Sequence, residues 1–207
     1  MFTSRTRIST AVAAVTTVTA LFAAGCGDDD SNTMPGMDHG SSSTSASSST
    51  PAARTDFNDA DVTFLQMMYP HHAQAVEMAQ LVPSRSRNPQ LQALATGVEQ
   101  AQAPEMQQIT TLLQSFGKPA PGTGGHAGHN MPGIMTPEQM SALQAASGPD
   151  FDRQWLTMMI EHHTGAIAMA ETELADGTNG DAKALARSII DAQRAEIDTM
   201  RGMLGQS

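Results

Sequence analysis

The chain has 207 residues, with 21 acidic side chains against 11 basic ones and a formal charge of −10. That charge disfavours nucleic acid as a partner, because its phosphates would repel such a surface, and it is compatible with cation capture. The single cysteine rules out an internal disulfide framework, and the length holds one domain or a small pair.

The first 25 residues read as an export signal rather than as part of the fold. Ser4-Arg5-Thr6-Arg7 is a short basic stretch, and the apolar run from Ile8 to Ala24 is too short and too rich in threonine for a membrane span. It ends in Leu21-Phe22-Ala23-Ala24-Gly25-Cys26, which resembles a bacterial lipobox, with Ala23 standing where leucine is commoner. On this reading residues 1–25 are a lipoprotein signal peptide. Cys26 is lipidated and holds the protein outside the cytoplasm on the bacterial cell membrane. The competing reading is an ordinary signal peptide with an incidental cysteine, but a lone exported cysteine lacks a disulfide partner, which favours lipidation. Residues 26–55 are rich in Ser, Thr, Asp, Gly and Pro. They bury too little apolar surface to offset their ordering entropy and read as a disordered tether. Met34, Met37 and His39 within it are either a stray cluster or an auxiliary metal-binding group.

The folded domain is expected over residues 56–207, as a first repeat (56–117), a linker (118–147) and a second repeat (148–207). Asp56 or Asn58 is placed to cap a helix in which Val62, Phe64, Leu65, Met68, His72, Val76 and Ala79 recur at helical spacing. Pro83 and the turn from Ser84 to Pro89 are expected to end it. A second helix fits Gln90 to Phe116, with Leu91, Leu94, Val98, Ala101, Ile109, Leu112 and Leu113 on its buried side. Pro104 is expected to kink or split that helix. The linker carries His126, His129, Met131 and Met135, which read as further auxiliary metal ligands in a flexible segment. Thr136-Pro137-Glu138-Gln139 has the form of a capping box with proline at the first helical position, predicting a short helix to about Ala146. Gly148-Pro149-Asp150 is expected to break the chain before a long helix from Asp150 or Phe151 to about Leu174. A last helix covers Asp181 to Leu204.

Phe64 to Ala79 and Trp155 to Ala170 are copies of one stretch, each built on Met-Met-x-x-His-His with a further methionine six residues later. His162 less His71 gives an offset of 91, which aligns the two halves without a gap. It pairs Asp61 with Asp152, Leu65 with Leu156, Met78 with Met169, Leu94 with Leu185, Gln102 with Gln193, Glu105 with Glu196 and Leu113 with Leu204. The physical reading is two αα-hairpins packed as a pseudo-symmetric four-helix bundle, with a short connecting helix. No stretch reads as a strand, so the expected fold class is all-α.

Residues four and seven apart share a helical face. Met67, His71 and Met78 therefore fall in one row, as do Met158, His162 and Met169. The neighbouring rows hold Met68 with His72, and Met159 with His163. Adjacent residues point about 100° apart, so the two histidines of a pair face different ways. His71 and His162, each aligned with two methionines, rank ahead of His72 and His163 as metal ligands. Thioether sulfur is soft and imidazole borderline, a combination that suits Cu(I), while His-rich subsets also hold Cu(II) or Zn(II). The same residues have a plain alternative, since methionine fills gaps in helical cores and a buried histidine is commonly a hydrogen-bonded core residue. Pro70 removes a helical hydrogen bond just before the first His pair, where the second copy has Glu161, so the halves are not chemically equivalent.

The doubled motif, with Met135-Thr136-Pro137-Glu138 and Ser147-Gly148-Pro149-Asp150-Phe151-Asp152, resembles the DUF305 family over Asp56 to Leu204. The resemblance implies an exported bacterial protein with a ferritin-like four-helix arrangement and an association with copper binding and tolerance. It carries over to Met67, Met68, His71, His72 and Met78, and to Met158, Met159, His162, His163 and Met169. Three functions then compete. The leading one is membrane-tethered copper binding, buffering or tolerance, with copper-handling proteins as prospective partners and the oligomeric state left open. A di-iron oxidase is disfavoured because Met68 and Met159 stand where a Glu-x-x-His motif places its glutamates, and nothing in the sequence demands a copper oxidase, so no enzyme activity is expected. The remaining reading is a structural or interaction module whose Met/His face is only core.

Overall fold

The computed structural model describes residues 54–119 and 131–205. The signal segment, Cys26, the tether with Met34, Met37 and His39, and the linker residues His126 and His129 lie outside the described residues. Among the described residues the fold is all-α, with five helices and no strand. They are α1 (Asp59–Arg85), α2 (Pro89–Ser115), α3 (Pro137–Ala145), α4 (Gly148–Asp176) and α5 (Gly180–Leu204). α1 packs against α2 and α4, α5 packs against α4, α2 meets α5, and the short α3 lies on α4.

The helix starts follow from side-chain caps. Asn58 accepts from the N–H groups of Ala60 and Asp61, while Asp61 accepts from the Asn58 N–H, closing a capping box. Asn88 and Asn179, one offset of 91 apart, cap α2 and α5 through the same side-chain amide oxygen. Thr136 and Gln139 form the expected reciprocal box at α3.

Asp61 is more than a cap. It is fully buried and accepts from the N–H groups of Thr178 and Asn179 at 3.1 and 2.9 Å, in the turn before α5. Burial works against its charge, but donors from Asn58, Asn179 and Thr178 outweigh that and hold its carboxyl below the ordinary range. The start of the first hairpin is thereby tied to the turn of the second.

Prolines interrupt the helices less than their sequence positions suggest. Pro104 does not split α2, since Pro89–Ser115 is a single helical run. Both Pro104 and Gln100, whose carbonyl loses its partner, are exposed, so water satisfies the freed group. Pro83 does not end α1, which continues to Arg85 and closes on a bond from Ser86 N–H to the Val82 carbonyl. Gly148-Pro149 opens α4 rather than preceding it, because proline in the first turn gives up an N–H that has no helical partner there. Gly148, at φ +61°, supplies the left-handed turn out of α3.

The core is two apolar clusters. One gathers Met78, Val82, Leu91, Leu143, Phe151, Trp155, Met159 and Met200. The other gathers Leu65, Met68, Ile109, Leu113, Met169 and Ile189. On every long helix the residues between them are polar: His71 and His72 on α1, Gln102 and Glu105 on α2, His162 and His163 on α4, Gln193 and Glu196 on α5. α1 and α4 run antiparallel, so Met68 shares a cluster with Met169 and Met78 shares one with Met159.

Glu173 is also buried. Burial first, and then the neighbouring Asp61 carboxylate, push its carboxyl from 4.5 up to about 8. The folded protein thus holds a proton that the unfolded chain has released, and this contribution is lost as pH rises from about 4.5 through about 8. Glu173→Gln cannot ionise, so its melting temperature relative to wild type should climb across that window. Thermal unfolding at a series of pH values checks this, and parallel profiles for the two proteins would contradict it.

Candidate metal centre

The polar layer is organised by the two copies of Met-Met-x-x-His-His, one on α1 and one on α4. Helical periodicity turns one histidine of each pair toward the partner helix and the other toward its own hairpin mate. The rings of His71 and His162 meet across the α1–α4 seam with centroids 3.8 Å apart and planes tilted by 40°. The Nε2 of His72 bonds Glu105 of α2 at 2.8 Å, and the Nε2 of His163 bonds Glu196 of α5 at 2.6 Å. All four imidazoles are fully buried.

The hydrogen bonds decide where proton and lone pair sit. His71 Nε2 lies 3.0 Å from the Pro132 carbonyl oxygen. A carbonyl only accepts, so Nε2 carries the hydrogen and Nδ1 is left with a bare lone pair. The carboxylates of Glu105 and Glu196 impose the same tautomer on His72 and His163. The Nδ1 atoms of all four histidines, and the Nε2 of His162, are buried without a hydrogen-bond partner. Burial, followed by the proximity of His72, pushes His71 down to about 3. His162 lies well below its ordinary value, again chiefly through burial and then through His71. Both facing imidazoles are therefore neutral near pH 7 and able to donate a lone pair.

The methionines frame this layer. Met68 and Met159, one turn before each His pair, are fully buried, as is Met78, while Met158 and Met169 are nearly so. Met67 is half-buried and, with Phe64, Met169 and Pro132, lines a cavity of about 450 Å³ between α1 and α4. Among the described residues no three His, Cys, Asp or Glu side chains converge as a metal-holding group. A metal in this layer would therefore draw on thioether sulfur as well as imidazole.

Residues 61–204 match the family described as "Domain of unknown function (DUF305)". The chain belongs to the DUF305 family. Solved members align with it closely. A DUF305 fragment from Deinococcus radiodurans is 32% identical with a TM-score of 0.67, over 72% of this chain and 98% of that one. A DUF305 protein from Streptomyces coelicolor described as secreted is 31% identical with a TM-score of 0.65, over 71% and 93%. CopM in its Cu(II)-bound form is 32% identical with a TM-score of 0.63, over 70% and 96%, and CopM is also known in Cu(I)-bound, Ag-bound and apo forms. No curated protein matches the chain in sequence.

Within this DUF305 fold, sequence reasoning paired Glu105 with Glu196 and Gln102 with Gln193 but gave them no role. A signal was present, since both pairs recur three residues apart at the level of the His pairs, on helices otherwise apolar inside. Gln102 and Gln193 are buried with both amide atoms unpartnered. The described end of the linker, residues 131–135, differs from the flexible capture segment expected. Met135 is buried in the core, and Met131 is half-buried. The strap from Met131 to Met135 lies with its backbone directly on α4. A Cβ on Gly165 would fall 2.0 Å from the Pro132 carbonyl oxygen, and one on Gly133 (φ +75°) would fall 2.6 Å from the Glu161 carbonyl oxygen.

Gly165→Ala cannot be absorbed by a flexible side chain, because the clash is with backbone. The substitution should lift the strap and cost about 1–3 kcal/mol. Chemical denaturation together with faster amide exchange in residues 131–135 would register it. Wild-type stability and exchange in the variant would show that the strap is not seated this way.

Proposed function

We propose that this DUF305 protein is an exported copper-binding protein that buffers or sequesters copper outside the cytoplasm, contributing to copper tolerance. The observation that carries this reading is the pair of neutral, buried imidazoles 3.8 Å apart with bare ring nitrogens, set between methionine-bearing clusters. A buried polar atom left unpaired costs about 1–3 kcal/mol, and several such atoms in one cross-section would be satisfied by a metal ion. His71 through Nδ1 and His162 through either nitrogen are the proposed principal ligands, with sulfur from Met68, Met159, Met78 and Met169 and the His72 and His163 rings as further donors. Met158, as buried as Met169, is a further thioether candidate, and half-buried Met67 stands nearer the outside of the bundle. Neutral nitrogen and thioether donors favour Cu(I), with Cu(II) and Zn(II) as harder alternatives. The copper- and silver-bound forms of CopM support the same choice of metal. Glu105 and Glu196 would orient His72 and His163, in the way that carboxylates commonly hold metal-binding imidazoles.

Binding rather than catalysis is proposed, because Glu105 and Glu196, which reach the buried layer, are engaged with His72 and His163 and Met68 and Met159 occupy the di-iron glutamate positions. Loaded protein should consume no oxygen while it holds Cu(I). The specific observation favouring a purely structural module is that all four histidines are closed to solvent. That module would show no thermal shift with copper, since any ligand of the native state must stabilise it.

Titration with Cu(I) against a competing chelator separates the readings. His71→Ala with His162→Ala should weaken binding by about 100-fold or more, as expected for losing two of the ligands that set affinity at roughly 1.4 kcal/mol per tenfold. Unchanged affinity and stoichiometry would remove the layer as the site. Tethering through lipid on Cys26 is proposed from Leu21 to Cys26 alone. Incorporation of labelled fatty acid into wild type, and its loss in Cys26→Ser, is the expected result.

A further inference from the structure

The two repeats match at the His pairs but diverge one turn later. Three residues after His71 stands Gln74, and the offset of 91 places Gly165 three residues after His162. Both positions face the same strap, in opposite roles. Gly165 leaves the gap that the Pro132 carbonyl occupies. Gln74, itself buried, grips the strap from the other side: its Oε1 accepts from the Met135 N–H at 2.7 Å, and its Nε2 donates to the Met135 carbonyl at 2.9 Å. At the Gly165 anchor the same Pro132 carbonyl meets His71 Nε2. A carbonyl oxygen only accepts, so this contact places the ring hydrogen on Nε2. Pro132 and the α4 backbone approach each other too closely for the carbonyl to swing aside without displacing the strap.

We propose that Gln74 and Gly165 are positioning residues that seat the strap so that the Pro132 carbonyl fixes His71 as the Nε2–H tautomer, presenting Nδ1 to the metal. This rests on the copper reading above for its consequence, but not for the tautomer itself. His162 makes no hydrogen bond to the strap or to a carboxylate, so the strap pre-organises only one of the two facing imidazoles. The near-symmetric α1–α4 seam thereby acquires one preset imidazole. Positioning partners of metal-binding histidines typically govern about 10–100-fold in affinity, and a neutral imidazole without a fixed acceptor divides itself between two tautomers.

The test uses the full chain with Gln74→Ala, and with Gln74→Leu to hold the volume if the smaller side chain loosens the fold. Circular dichroism first establishes that the helices are retained. Long-range proton–nitrogen spectra of the metal-free protein then read the His71 tautomer, and Cu(I) competition titration reads affinity. The expected result is an Nδ1–H population at His71 that wild type lacks, with faster Met135 amide exchange and Cu(I) affinity lowered about tenfold. Two results would overturn the proposal: His71 remaining wholly Nε2–H in both variants, or a shifted tautomer with Cu(I) affinity within about twofold of wild type. A wild-type protein that binds no Cu(I) would instead overturn the copper reading, and the tautomer spectra would still decide what the strap does.

Discussion

The contact between His71 and His162 places two neutral imidazoles against each other where apolar side chains would ordinarily meet, at the seam of α1 and α4. Everything around it is arranged to make that burial tolerable. Glu105 and Glu196 reach in from the neighbouring helices to accept from His72 and His163, and a backbone carbonyl from the linker accepts from His71. What is left over, a set of unpartnered ring nitrogens and two glutamine amides, carries a cost of about 1–3 kcal/mol per atom. The two apolar clusters on either side must offset it. Such a layer also fixes register, because sliding one helix by a turn would drive imidazoles into hydrocarbon and methionines into the polar band.

Duplication explains why the layer closes on itself. Each αα-hairpin contributes an identical His–Glu pair separated by 33 residues, and neither hairpin can bury its polar stripe alone. Facing the other copy, each stripe finds groups of the same kind, and the antiparallel crossing of α1 and α4 brings the methionine that follows one His pair beside the methionine that precedes the other. Some departures from symmetry answer to a feature that exists in only one copy. The linker is such a feature, and Gln74 and Gly165 adapt the two repeats to it. The turns before α2 and α5 differ in another way: Asp61 holds the one before α5, while its repeat partner Asp152 has an unpartnered carboxylate oxygen.

Much of this was legible beforehand because helical structure is local. The capping residues Asn58 and Thr136 and the Met/His spacing depend only on residues within a turn or two of each other, and the offset of 91 is read by laying one stretch of sequence on another; together they imply an all-α bundle and the residues to watch. The prolines misled for a definite reason. Whether Pro104 splits a helix depends on where the freed carbonyl points, and exposure of Gln100 is a tertiary fact. Met135, read as part of a flexible segment, is instead core, since nothing within the linker announces the grip of Gln74 from 61 residues away.

By itself the sequence determined the helices, their pairing into two matching hairpins, and a stripe of soft and borderline donors on one face of each, because periodicity and repetition are written in consecutive residues. Only the tertiary structure decided that His71 meets His162, that Glu105 and Glu196 hold the outer rings, and that a single backbone carbonyl makes the two halves different. Those outcomes depend on how far helices lie apart and which atoms remain unpartnered once they pack, quantities that no spacing along the chain contains.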